Sequence, residues 1–238
     1  MAWKKYLSVI LSCIVLLGAQ NYSTKIYEGF ISNNMQLWQR TIDEMQKAKH
    51  ITLELINYQY GYIAWCIAND KISEGRKMLE LANENLEMYF SNREKSAEYF
   101  AYKSAFLGYE IGLDKYKAPF VAKKSQEYLN KALFLDPNNY FVYLQKGHAD
   151  FYKPSIVGGS KTRAIEYYKK ALILYEKNYY NKKDWNYLAL ITDLIKAYMD
   201  INNYSEAKIY AEKALKVEPN YKWVKEDLYP EILKNLKK

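Results

Sequence analysis

Two histidines, two cysteines and a scatter of acids are the side chains of this 238-residue chain that could make or break bonds. His50 and His148 lie far apart. Neither belongs to a His-Glu-x-x-His or Cys-x-x-Cys spacing, which would bring metal ligands together on one helix or turn. No Gly-x-Ser-x-Gly elbow offers a serine nucleophile. Acids such as Glu84 and Glu87 sit at helical spacing, as the charges of any solvated helix face do. Gly158-Gly159 could turn backbone N–H groups toward an anion at the start of the next helix, but no Lys-Ser/Thr pair follows at phosphate-loop spacing. The expectation is a protein without catalytic residues, metal or cofactor, which leaves binding as its chemistry.

The elements that would position a binding surface are helices. Proline and glycine number only 5 and 9, too few for a β-sandwich or a dinucleotide fold of this length, and half the residues are hydrophobic. Tyrosine is abundant, at 26. Its apolar body and polar tip suit half-buried positions between helices. The net charge of +8 comes mostly from lysines alternating with acids. With no arginine-rich run or nucleic-acid motif, the charge reads as solvated helix surface and no nucleic-acid partner is expected.

Residues 1–19 read as a secretory signal: Lys4 and Lys5, an apolar run from Tyr6 to Leu17, then Gly18-Ala19 before Gln20. The run is short against the roughly 20 residues of a membrane span. The expected organisation is therefore a signal at 1–19 and one helical repeat domain at 20–238, exported and periplasmic. The alternative is lipid anchoring, since Ile10-Leu11-Ser12-Cys13 loosely resembles a lipobox, although the apolar run continues past Cys13. If Cys13 leaves with the signal, Cys66 stands alone and is read as a small buried hydrophobe.

Internal repetition organises the rest. Leu194, Tyr198, Tyr204, Ala207, Ala211, Ala214 and Pro219 recur in a fixed order. Leu194 and Tyr198 share one face of a first helix, Asn202-Asn203 turns the chain, and the alanines let a second helix approach closely. Pro219 ends that helix. Ala164, Tyr168 and Ala171 repeat the second-helix stripe, with Gly147 as the small residue of the helix before; Ser125, Leu129, Ala132 and Pro137 repeat it again. A degenerate pair spans 54–90 around Gly61 and Leu79. Another spans 24–47, with Trp38, Ile42 and Met45 on its second helix and Asn33-Asn34 at its turn. These residues resemble the tetratricopeptide repeat, a helix–turn–helix unit of about 34 residues. The resemblance implies an all-α, right-handed superhelix of about five antiparallel pairs, with residues 221–236 closing the stack.

Ala132 and Ala171 lie 39 apart, about five beyond the roughly 34-residue period. The surplus is expected in two inserted loops at one edge of the stack, 117–125 and 153–161, with Phe120, Val121, Ile156 and Val157 tucked against helices. The Pro- and Gly-Gly-containing loop, together with Tyr60-Gly61-Tyr62-Ile63 and the segment from Gly112 to Ser125, resembles exported bacterial tetratricopeptide proteins. It is similar also to the helical T component of tripartite periplasmic transport systems. These resemblances imply a scaffold or accessory protein without assigned catalysis.

First helices of such repeats line a concave face. Tyr62, Trp65, Tyr102, Phe106, Tyr109, His148 and Tyr152 would form an aromatic groove there, with Thr192 and Lys196 in the last pair and Gly158 and Gly159 at its edge. Such a groove is expected to bind a protein or peptide. The alternative is a small molecule held for a transport system, and peripheral membrane association is a further expectation.

Overall fold

A computed structural model of the chain describes residues 22–179 and 181–237. The secretory signal and Cys13 lie outside the described residues.

The described chain is a succession of antiparallel helix pairs. The first pair is α1 (22–31) and α2 (Met35–Lys47); the second is α3 (Leu53–Ala68) and α4 (Ile72–Tyr89). The third is α5 (Ala97–Leu113) and α6 (Ala118–Leu135), and the fourth is α7 (Tyr140–Tyr152) and α8 (Lys161–Asn178). The fifth is α9 (Trp185–Asp200) and α10 (Tyr204–Val217). A π-helical turn at Val224–Leu228 leads into α11 (Tyr229–Asn235), which packs on α10 and closes the stack. The all-α repeat architecture, its five pairs and its closing helix are as the repeats imply.

Local chemistry explains the short turns. In the first, second and fifth pairs one residue takes a left-handed conformation: Asn33, Asp70 and Asn202, at φ 57°, 56° and 57°. Asn and Asp tolerate this region better than other L-residues. The next residue starts the second helix. Asn34 and Asn203 do so with their side chains, which accept from the backbone N–H of Leu37 and Glu206 at 3.1 and 3.2 Å.

The second helices bury narrow stripes. In α10 only Ala207, Ala211 and Ala214 are buried, and α6 buries only Leu129 and Ala132. First helices are buried along most of their length, α9 through residues such as Tyr187, Leu188, Ile191 and Leu194. Gly147 lets α7 and α8 meet: a Cβ there would lie 2.2 Å from Tyr168 Cε1.

The surplus length differs from expectation in the third pair. Residues 118–135 are helical throughout, because Pro119 occupies the first turn of α6, where its missing N–H has no intrahelical role. The insertion expected as a loop at 117–125 is thus mostly an N-terminal extension of α6, joined to α5 by a 3-10 turn at Lys115–Lys117. The fourth pair does carry a loop, with a 3-10 turn at Ser155–Val157 followed by Gly158 at φ 91°. The apolar residues do not tuck in: Phe120 and Ile156 are 83% and 93% exposed, Val157 is exposed and Val121 is half-buried.

The superhelix closes on itself. Phe30 of α1 lies 5.2 Å from Tyr221 and 6.0 Å from Trp185, centroid to centroid. Trp38 of α2 meets Trp185 edge-on at 4.9 Å. Tyr27 Oη donates to Glu218 Oε2 at 3.1 Å, satisfying a buried carboxylate. Gly61 makes room for both indoles, since a Cβ there would lie 2.8 Å from each. The first pair therefore packs against the fifth, and large aromatics fill the space between them.

Cys66 is fully buried on α3. Burial, reinforced by Glu74 and opposed by Lys71, pushes its thiol up to about 12. The thiolate is the reactive form. In a Cys13→Ser background the folded protein should resist a disulfide reagent at mildly alkaline pH and react once denatured. Rapid labelling of the folded protein would contradict this packing.

Candidate functional site

Three residues of the expected groove are core residues. Tyr62, Tyr102 and Phe106 are 2%, 5% and 1% exposed and belong to the core rather than to an open surface. Tyr62 donates to Glu74, Tyr102 packs at 4.6 Å on Phe141, and Phe106 packs on Tyr102 at 5.9 Å. Trp65 is half-buried, packed at 5.4 Å on Tyr62, with the Lys71 ammonium over its ring. It stands apart from the others. Thr192 is buried and bonded to Leu188 O and Tyr221 Oη. The physical reason is local packing: Tyr62 turns toward α4 of its own pair, and Tyr102 is held between Tyr60 of α3 and Phe141 of α7, the first helices of the adjacent pairs.

Gly158 and Gly159 serve the loop. Gly158 N–H donates to Ser155 O at 2.9 Å and Gly159 N–H to Pro154 O at 3.1 Å. A Cβ on Gly159 would sit 1.9 Å from Lys153 O. Arg163 caps the turn by donating to Gly158 O at 2.7 Å. Both amides are consumed, so the Gly-Gly pair does not present an anion-binding nest.

The remaining predicted residues do converge. His148 and Tyr152 stand four apart on α7, on one face. Asn139 starts that helix, its side chain accepting from the N–H of Phe141 and Val142. His148 Nε2 lies 2.8 Å from Asp193 Oδ2 on α9, and His148 Nδ1 lies 3.2 Å from Tyr60 Oη on α3. Tyr60 also accepts from Gln145 Nε2 at 3.0 Å and stacks on Tyr109 of α5 at 5.2 Å. One set of protons satisfies the chain: Gln145 donates to Tyr60, Tyr60 to Nδ1, and Nε2–H to Asp193. Three first helices, α3, α7 and α9, are tied together through one imidazole, and α5 joins them through the stack of Tyr109 on Tyr60.

Toward solvent the cluster ends in Tyr152, 64% exposed, and half-buried Lys196. The Lys196 ammonium lies 6.0 Å from the Tyr152 ring and 5.7 Å from the Trp223 ring. Burial pulls the Lys196 pKa down, but Tyr152 and Asp193 beside it outweigh this and hold it above the ordinary lysine value. Lys196 is thus a cation at neutral pH, framed by two aromatic rings.

This arrangement can bind but offers no nucleophile. Tyr60 is buried, and burial holds its phenol far above neutrality, so it is a poor base or nucleophile partner for His148. Among the described residues no group of three His, Cys, Asp or Glu could hold a metal ion, and no helix is long and apolar enough to cross a membrane. Two surface recesses of about 200 and 130 Å³ lie elsewhere, one between α6, α7 and α8 and one between α4 and α5. Neither includes His148, Tyr152 or Lys196.

Asp193 and Trp223 were not anticipated as members. Asp193 had a readable signal: it is the one acid in the apolar run from Trp185 to Met199, three residues before Lys196. Such an acid needs a partner when its helix is buried. Trp223 carried none, because its place depends on how the closing segment turns.

Residues 196–221 match the family model of the tetratricopeptide repeat. Among solved structures, a thermophilic tetratricopeptide protein of Thermus thermophilus is similar at 18% identity, covering 93% of this chain and 96% of that one, with a TM-score of 0.49. No curated protein matches the sequence. These findings leave the likeness to tripartite transport systems unsupported.

Proposed function

We propose that this tetratricopeptide-like array is a protein-interaction scaffold, and that it receives a partner's carboxylate at the mouth formed by Tyr152, Lys196 and Trp223. The observation that carries this reading is a charged, half-buried lysine framed by two aromatic rings, held on α9, which Asp193 and His148 tie to α7 and, through Tyr60, to α3. A preorganised cation between rings suits a C-terminal or side-chain carboxylate, with aromatic anchors for the neighbouring residues. The small-molecule carrier is favoured less, because the inner face is filled by the protein's own side chains. Ligand pockets usually enclose roughly 300–1,000 Å³, against recesses of about 200 and 130 Å³ here. On the reading of residues 1–19 as a secretory signal, the scaffold works outside the cytoplasm. Mass determination of the mature N-terminus separates a start at Gln20 from a lipidated Cys13.

A photo-crosslinking side chain placed at Tyr152 tests the proposal in the native host, with one at exposed Met88 as the reference. The expected result is a discrete polypeptide adduct at 152, absent at 88, and reduced about ten-fold or more by Lys196→Glu, the loss expected for a buried charge contact. Identical adducts at both positions, or none, would overturn it. Co-purification of a metabolite that raises the melting temperature would favour the carrier instead.

A further inference from the structure

The connections within the third and fourth pairs expose apolar side chains that the core does not use. Tyr116, Phe120 and Ile156 are 90%, 83% and 93% exposed, three of the four most exposed large hydrophobics among the described residues. Val157 beside Ile156 is 58% exposed. Scattered single hydrophobics are normal on a surface. These are not scattered, because both connections join a first helix to a second and so emerge at one edge of the stack. The neighbouring pairs are in register there. Lys153, at the start of the second connection, borders the same recess as Gln126 and Leu129 of α6. Lys161 pairs with Asp200 of the fifth pair at 2.9 Å.

The two connections carry an excess of positive charge. Residues 114–124 hold one acid, Asp114, and four lysines, and residues 150–163 hold one acid, Asp150, and three basic residues; Asp114 pairs with Arg76 and Asp150 with Arg163. Lys115, Lys123 and Lys153 are exposed and form no ion pair among the described residues. Protruding aromatic and aliphatic tips ringed by uncompensated lysines are complementary to a surface that is negative outside and apolar a few ångströms below. Apolar tips of this kind do not bury themselves on a hydrated acidic protein without a matching apolar recess, whereas a lipid surface accepts them anywhere.

We propose that this edge docks the protein on the headgroup layer of a bilayer containing anionic phospholipid, with Phe120 and Ile156 entering the interface and Lys115, Lys123 and Lys153 meeting phosphate groups. Tyr152, the last residue of α7, adjoins Lys153, so docking also holds the partner-binding mouth at the membrane surface. The two proposals stand independently.

Flotation of the full chain with vesicles tests this. Vesicles of phosphatidylcholine alone are compared with vesicles containing about 30 mol% phosphatidylglycerol, at roughly 0.15 M and roughly 1 M salt. The expected result is binding to the anionic vesicles, weakened at high salt and reduced roughly ten-fold or more by Phe120→Ser with Ile156→Ser. Residues 6–17 are apolar and could bind lipid themselves. Equal binding by the wild type and the double variant would therefore overturn the proposal, as would no binding. A second reading comes from Ile156→Trp: its emission should shift blue on anionic vesicles and be quenched by brominated lipid. An unshifted emission, or retention on an acidic polypeptide without retention on vesicles, would also overturn it.

Discussion

Gly147→Ala is expected to lower stability by about 2–3 kcal/mol, although alanine is the better helix former by about 1 kcal/mol. The added Cβ would lie 2.2 Å from Tyr168 Cε1 and 2.3 Å from Cδ1. Tyr168 is 1% exposed, with His148 edge-on at 5.5 Å and Phe151 at 6.4 Å. The ring has nowhere to turn, so α7 and α8 must separate, and His148 moves with α7. Close-packed interiors resist such displacement. Gly108→Ala is the matched comparison. Gly108 also lies within a helix, but nothing stands within 4 Å of the added Cβ. That variant should gain about 0.5–1 kcal/mol from helix propensity alone. Urea unfolding of both proteins decides the matter: midpoints that move in opposite directions are expected. A Gly147→Ala midpoint equal to or above the wild type would show that the helices are not in contact there.

Alkali should unfold the protein in a narrow range above pH 10. Burial, the largest cause in each case, raises the phenol pKa of Tyr58, Tyr60, Tyr102, Tyr109, Tyr140, Tyr168, Tyr175 and Tyr221. Below the unfolded value near 10 both states keep these protons and stability is unaffected. Above it the unfolded chain releases them and the folded chain cannot. The unfolded state then binds fewer protons, so stability falls as pH rises, by about 1.4 kcal/mol per pH unit for each such tyrosine. Several acting together exceed a typical total stability of about 5–15 kcal/mol within roughly one to two pH units. Cys66 adds to the same slope. The share of phenolate absorbance that belongs to these eight tyrosines should appear in one step, coincident with the loss of helical circular dichroism. Ionisation of all the tyrosines near pH 10 with the helices intact would refute this burial.

The parts of the fold that depend on neighbours in sequence were legible. Asn33 and Asn202 mark turns because Asn tolerates the left-handed region, Asn34 and Asn203 because their side chains cap the next helix, and the alanines of α10 mark the stripe where a helix must come close. Pro119 misled because proline both breaks a helix and begins one, and only the structure places it in the first turn of α6. The candidate site was legible in half. His148, Tyr152 and Lys196 follow from the register of first helices. That Tyr62, Tyr102 and Phe106 lie inside does not, because it depends on how each first helix is rotated against its neighbours, as in the packing of Tyr62 on α4 and of Tyr102 on α3 and α7. The contact of Trp38 with Trp185 is likewise one that no local pattern encodes.

The hydrogen bond from Tyr27 to Glu218 joins residues 191 positions apart, and this bears on how the chain folds. In an open solenoid each repeat touches only its neighbours, so folding can start anywhere and spread, and shortened arrays survive. Here the outermost pairs touch each other. The mean sequence separation of contacts rises, and the final docking must close a loop of nearly the whole chain, which slows folding relative to a string of local hairpins. Deleting the first pair would uncover Trp185 and Tyr221 together, so the array cannot be trimmed from one end without exposing the other.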